Sequence, residues 1–209
     1  MDVLRPPPHA PALIVLVAST GGPRVLGTML PLLLADLLTP VCIVQHMAPS
    51  FIEPWTRRLT SRMGRLVEVA APGRVLQPRS VLVAGPGRHF EVRRDGCQLQ
   101  AALGSAQPHA GCTPSGTVLL ESAVAATGGR ISTAILTGMG WDGAQGAEEV
   151  SAAGGRVFLQ SEASSTVYGM PRAAAERLPN APRLTPRGLV EALRADAWLA
   201  PAATTRRAQ

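Results

Sequence analysis

Three residues able to perform acyl chemistry follow apolar runs: Ser19 after "ALIVLVA", His46 in "VCIVQHM" and Asp142 beyond "ISTAILTGM". A serine hydroxyl is a weak nucleophile until a neutral imidazole can take its proton. The imidazole in turn needs a carboxylate to fix its tautomer and stabilise its charged form. The chain order Ser, His, Asp differs from that of familiar hydrolases, but such triads are defined by geometry and roles. Each residue also has a plainer reading. Ser19 could cap the helix starting at Pro23, His46 could be a satisfied core histidine, and Asp142 could cap the helix near Gly143.

These side chains meet only if a scaffold brings three strand exits to one edge. Continuous apolar runs at 12–18, 41–44, 80–84, 131–136 and 156–160 have the length and β-branched content of strands buried on both faces. Weaker strand patterns lie near 66–70, 88–93 and 97–102, and helical spacing occupies 23–36, 50–63, 115–127, 143–153, 171–178 and 187–195. The alternation predicts an α/β fold: a doubly wound, mostly parallel sheet flanked by helices, binding ligands beyond the carboxyl ends of its strands. Turn signals at Pro78-Arg79, Gly85-Pro86-Gly87 and Asp95-Gly96 predict a short antiparallel meander near 73–103. Residues 1–10 and 198–209 are expected to be disordered, leaving 11–197 as a single domain.

With 209 residues, 46% of them hydrophobic, the chain can bury a sizeable core. Cys42, Cys97 and Cys112 are odd in number, lie far apart and lack C-x-x-C spacing, so neither a disulfide framework nor a metal site is indicated. No cofactor is expected. The N-terminus has no signal pattern, and Pro31 and Asp36 break the longest leucine-rich run, so the expectation is a cytoplasmic protein without membrane insertion. The net charge of +6 comes from arginine alone, since lysine is absent. That excludes the usual P-loop, and the turn S-T-G-G-P-R is not a dinucleotide fingerprint. Arg57, Arg58, Arg62 and Arg65 either attract an acidic partner or form a solvated helix face. Aromatic content of 3% leaves few stacking platforms, and no nucleic acid partner is expected.

The stretches "ASTGGP" (18–23), "VQHMAPSF" (44–51), "AGPGRHFEV" (84–92), "LTGMGWDGAQG" (136–146) and "QSEASSTVYGMPRAA" (160–174) together resemble the catalytic domain of bacterial chemotaxis protein-glutamate methylesterases of the CheB type. The resemblance implies a doubly wound α/β fold and hydrolysis of glutamate methyl esters on methyl-accepting chemoreceptor helices, with deamidation of receptor glutamines as a companion activity. It makes Ser19 the nucleophile, His46 the general base and Asp142 its orienting carboxylate. Met139 matches a backbone donor to the oxyanion, and Thr20 a supporting hydroxyl. Arg24, Arg57 and Arg58 follow strand exits on the cleft side and are candidates for docking the anionic receptor. Family members commonly carry an N-terminal receiver domain, which residues 1–10 cannot supply, so regulation is expected from a separate receiver-domain protein.

Two departures bear on activity. Val17 stands where the family usually has glycine, and "PSGTVLL" from Pro114 stands where it commonly reads P-S-V-D-x-L-F, placing Thr117 at the aspartate and Leu120 at the phenylalanine. They motivate an alternative, a catalytically weakened protein-binding module in a signalling array. A small-molecule esterase is a third reading.

Overall fold

In the computed structural model, which describes residues 10–195 and 197–200, strand β1 (Leu13–Ala18) is buried along its whole length. Its side chains alternate between two cores, Leu13, Val15 and Val17 on one face and Ile14, Leu16 and Ala18 on the other. An unbroken apolar run is therefore required, because both faces of the strand are covered.

In chain order there follow α1 (Gly22–Leu33), β2 (Val41–Gln45), α2 (Pro49–Met63), β3 (Glu68–Val69), β4 (Val81–Val83), β5 (Phe90–Asp95), β6 (Gln98–Leu103), α3 (Gly116–Thr127) and β7 (Ile131–Ile135). The chain continues through α4 (Ala144–Ala152), β8 (Arg156–Gln160), a 3₁₀ turn (Glu162–Ser164), α5 (Gly169–Arg177), β9 (Arg183–Leu184) and α6 (Pro186–Ala195). Seven strands form a parallel sheet in the order β3-β4-β2-β1-β7-β8-β9. Helices α1, α2 and α6 contribute to the core on one face of the sheet, and α3, α4 and α5 to that on the other. The chain leaves β1 for α1 on one face and leaves the adjacent β7 for α4 on the opposite face. Such a reversal opens a crevice at the carboxyl ends of the two strands, the usual ligand position in open α/β sheets.

Within 73–103 the structure divides the expected meander. β4 joins the parallel sheet, whereas β5 and β6 form an antiparallel hairpin extended by a Val75–Gln100 bridge. At the termini, Trp198 is buried with Ala10 and Leu38, its carbonyl accepts from Leu38 N–H, and Leu199 pairs with Leu37. Ala10 and residues 198–200, expected to be disordered, are thus packed against the sheet's amino edge, where an indole offers more apolar area than its short neighbours. Residues 1–9 and 201–209 lie outside the described residues. No helix among the described residues is long and apolar enough to cross a membrane.

Candidate active site

Parallel register sets Ala18 opposite Gln45, so Ser19 and His46 each stand one residue past the ends of adjacent strands. Backbone bonds continue the ladder: His46 N–H donates to Ala18 O at 2.9 Å, and Ser19 N–H to Thr137 O, beyond β7, at 3.0 Å. Buried Gln45 staples the two exits, its Nε2 donating to Ser19 O at 2.9 Å and to His46 O at 2.8 Å. On the other side, Thr137 Oγ1 donates to Thr20 O at 2.9 Å and accepts from Val167 N–H at 3.0 Å. Gly138 is required by close approach, since a Cβ there would lie 2.7 Å from Ser19 Cβ and 2.3 Å from Met170 Sδ. Nothing in the sequence announced the roles of Gln45 and Thr137; both depend on the order of the strands.

Asp142 Oδ2 lies 2.8 Å from His46 Nε2, with only 2% of the aspartate side chain exposed. The contact is short but off the N–H axis. Aligned donors come from the start of α3: Ser115 Oγ and Gly116 N–H, each at 2.6 Å, and Thr117 N–H at 3.1 Å. Burial pushes the Asp142 carboxyl up, but the close His46 contact and the hydrogen bonds from Ser115 and Gly116 outweigh it and bring the pKa down to about 2. The carboxylate therefore serves a helix other than its own. The cap of α4 is Gly143, with no side-chain hydrogen bond, whereas Asp142 occupies the electropositive end of α3. Buried His89 holds that end in place, its Nδ1 accepting from Ser115 N–H at 3.1 Å while Nε2 donates to Gln107 O at 2.8 Å.

Ser19 does not cap α1 either. The cap is Gly21, left-handed at φ 84°, with no side-chain hydrogen bond. Thr20 is exposed and Met139 is 77% exposed at the rim.

Val17 and "PSGT" prove to be one adjustment. A Cβ on Gly116 would lie 2.3 Å from Val17 Cγ1, so the glycine at 116 makes room for the valine at 17. Thr117 Oγ1 accepts from Gly143 N–H at 2.9 Å, filling the aspartate's position with another hydrogen-bond acceptor, and Leu120 is fully buried.

Arg24, Arg57 and Arg58 are all exposed. Arg24 and Arg58 line one cleft between α1 and α2, together with Trp55 and Arg62, while Arg57 pairs loosely with Glu53 at 3.4 Å. Arg65 is instead buried, anchoring Leu34 O and Arg79 O, and takes no part in a basic surface. Phe51, at the start of α2, and Trp141 are each 64% exposed.

Fold and strand-end chemistry together define a doubly wound parallel α/β protein with a polar cluster at the carboxyl edge of its sheet. The family described as CheB methylesterase matches residues 14–193, and the chain belongs to it. A protein-glutamate methylesterase/protein-glutamine glutaminase of Nocardioides sp. is 41% identical over 80% of this chain and 48% of its own length. One from Anaeromyxobacter dehalogenans is 42% identical over 81% of this chain and 51% of its own. The chain thus spans about half the length of these curated relatives. The crystal structure of the Thermotoga maritima CheB methylesterase catalytic domain superposes with a TM-score of 0.81 at 29% identity, covering 88% of this chain and 98% of that one.

Proposed function

We propose that this chain is the catalytic unit of a protein-glutamate methylesterase acting on methyl-accepting chemoreceptor helices in the cytoplasm, with receptor glutamine deamidation as the companion reaction. The observation that carries the reading is the 2.8 Å contact of His46 Nε2 with a buried, ionised Asp142, at a strand exit adjoining that of Ser19. With Nε2 against the carboxylate, the ring proton belongs on Nε2, and Nδ1 is the free base.

Ser19 Oγ attacks the ester carbonyl as its proton passes to His46 Nδ1. The imidazolium formed is stabilised by Asp142 and returns the proton to the departing methoxide, releasing methanol. Water then attacks the acyl-serine with His46 again as base, freeing the glutamate side chain and restoring Ser19. The Met139 N–H makes no hydrogen bond among the described residues and is the assigned oxyanion donor, with Thr20, next to the nucleophile, as the supporting hydroxyl. A separate receiver-domain protein is the proposed regulator. The close fit of Val17 against Gly116 leaves the turn uncrowded, which favours the esterase over a weakened binding module. Methanol release from methyl-labelled receptor tests the reading: turnover by the wild type and none by Ser19→Ala supports it. Good turnover of small acetate esters with none of receptor would shift it to a small-molecule esterase.

A further inference from the structure

The sequence carries no metal-ligand spacing, yet the fold draws Cys112 to the His46–Asp142 pair. A ring nitrogen of His46, Cys112 Sγ and a carboxylate oxygen of Asp142 all lie within 4.8 Å of one another. These ligands come from three separate segments: the exit of β2, the turn before α3 and the loop after β7. Cys112 has no disulfide partner and is partly exposed, and neither the esterase chemistry nor the core packing uses its thiol.

We propose that His46, Cys112 and Asp142 form a zinc site, and that zinc bound there switches off the esterase. Thiolate, imidazole and carboxylate are the donors zinc takes, and three protein ligands with one open position make a common coordination. Tetrahedral bonds of about 2.0–2.3 Å place ligand atoms roughly 3.3–3.6 Å apart. The His46–Asp142 pair must therefore open slightly from 2.8 Å, and Cys112 must swing inward by about an ångström from the 4.8 Å limit. Cys112 lies in a short bridged turn with His109, next to Gly111 at φ 78°. The outer support is already built. Ser115 Oγ and the N–H groups of Gly116 and Thr117 fix the Asp142 carboxylate, as second-layer donors commonly orient a metal-binding oxygen. His46 Nε2 is buried without an aligned hydrogen bond, so a metal there takes the place only of its off-axis contact with Asp142.

Inhibition follows from the imidazole's two nitrogens and rests on the esterase reading. Zinc on Nε2 confines the ring proton to Nδ1, which becomes a donor and cannot accept from Ser19; zinc on Nδ1 blocks the base directly. Binding also sends the Cys112 thiol proton to solvent, so zinc occupancy weakens as pH falls.

The test uses the full chain carrying Cys97→Ser, which removes the exposed thiol, while Cys42 is buried. Calorimetric titration with zinc chloride is expected to show one ion per chain, weakened roughly 100-fold by Cys112→Ala and similarly by Cys112→Ser. Cobalt(II) should give a near-ultraviolet thiolate charge-transfer band that both variants lack. Zinc should suppress methanol release, a chelator should restore it, and Cys112→Ala should keep its basal turnover while needing roughly 100-fold more zinc for inhibition. Equal zinc affinity in parent and variants, or a cobalt complex without the thiolate band, overturns the site. Zinc binding through Cys112 with undiminished turnover overturns its inhibitory role. A chain that releases no methanol even without zinc sinks the esterase reading, while calorimetry and the cobalt spectrum still decide the metal site.

Discussion

The turns after β1 and β7 are alike in backbone and opposite in side-chain state. Each passes through a left-handed glycine before its helix, Gly21 at φ 84° and Gly143 at φ 86°. Asp142, just before the second glycine, is buried and receives three aligned hydrogen bonds besides its His46 contact. The Ser19 side chain makes no hydrogen bond among the described residues, although backbone and Gln45 contacts hold its main chain. In the proposed mechanism the orienting carboxylate gains from being immobilised, and the nucleophile keeps its lone pair uncommitted until substrate arrives.

The sharpest break of this contrast is at its free end. Ser19→Ala or His46→Ala should lower methanol release by roughly 10⁴–10⁶-fold, and the double variant should be little worse than either single one. Losses that multiply in steady-state kinetics would mean the two residues do not act as a unit.

At the locked end, Asp142→Asn should lower turnover by about 10⁴-fold, because an amide supports the wrong imidazole tautomer. The same substitution should change stability with pH. Since the folded Asp142 pKa, about 2, lies below the unfolded value near 4, its carboxylate contributes about 2 kcal/mol above pH 4 that fades as pH falls through 2. Urea unfolding between pH 5 and pH 2 should therefore show a steeper loss in the wild type than in Asp142→Asn; parallel losses would remove the carboxylate's share.

Val17 and Gly116 underlie both turns and sharpen the comparison further. Gly116→Val alone should destabilise by about 1–3 kcal/mol through overpacking and push the α3 terminus off Asp142. Val17→Gly alone should cost about 2–4 kcal/mol. Combining them should recover at least about 1 kcal/mol relative to the sum, as measured by denaturation. Strict additivity would refute the exchange.

The smallest effect is expected at the rim. Arg24→Ala with Arg58→Ala should slow receptor encounter a few-fold and flatten its salt dependence, leaving small-ester turnover unchanged. Equal salt sensitivity in variant and wild type would remove these arginines from docking.

The central strands were legible because parallel strands covered on both faces must be continuous apolar runs. Expected runs at 131–136 and 156–160 became β7 (Ile131–Ile135) and β8 (Arg156–Gln160). The edge strands were harder to read: β9 (Arg183–Leu184) has two residues and no pattern of its own, existing only because Leu159 and Gln160 pair with it. The exits at Ser19 and His46 were likewise visible as polar residues directly after apolar runs, and Asp142 as the acidic residue in the Gly-rich turn beyond a third run. Their partners were not. Ser115, Gly116 and Thr117 meet Asp142 from 25 to 27 positions away, and Thr137 meets Thr20 across 117. Local sequence determines which segments extend, coil or turn, because propensity and hydrophobic period act over a few residues. Which side chains then share a hydrogen bond or a void depends on β1 lying between β2 and β7, and that order exists only in the folded sheet.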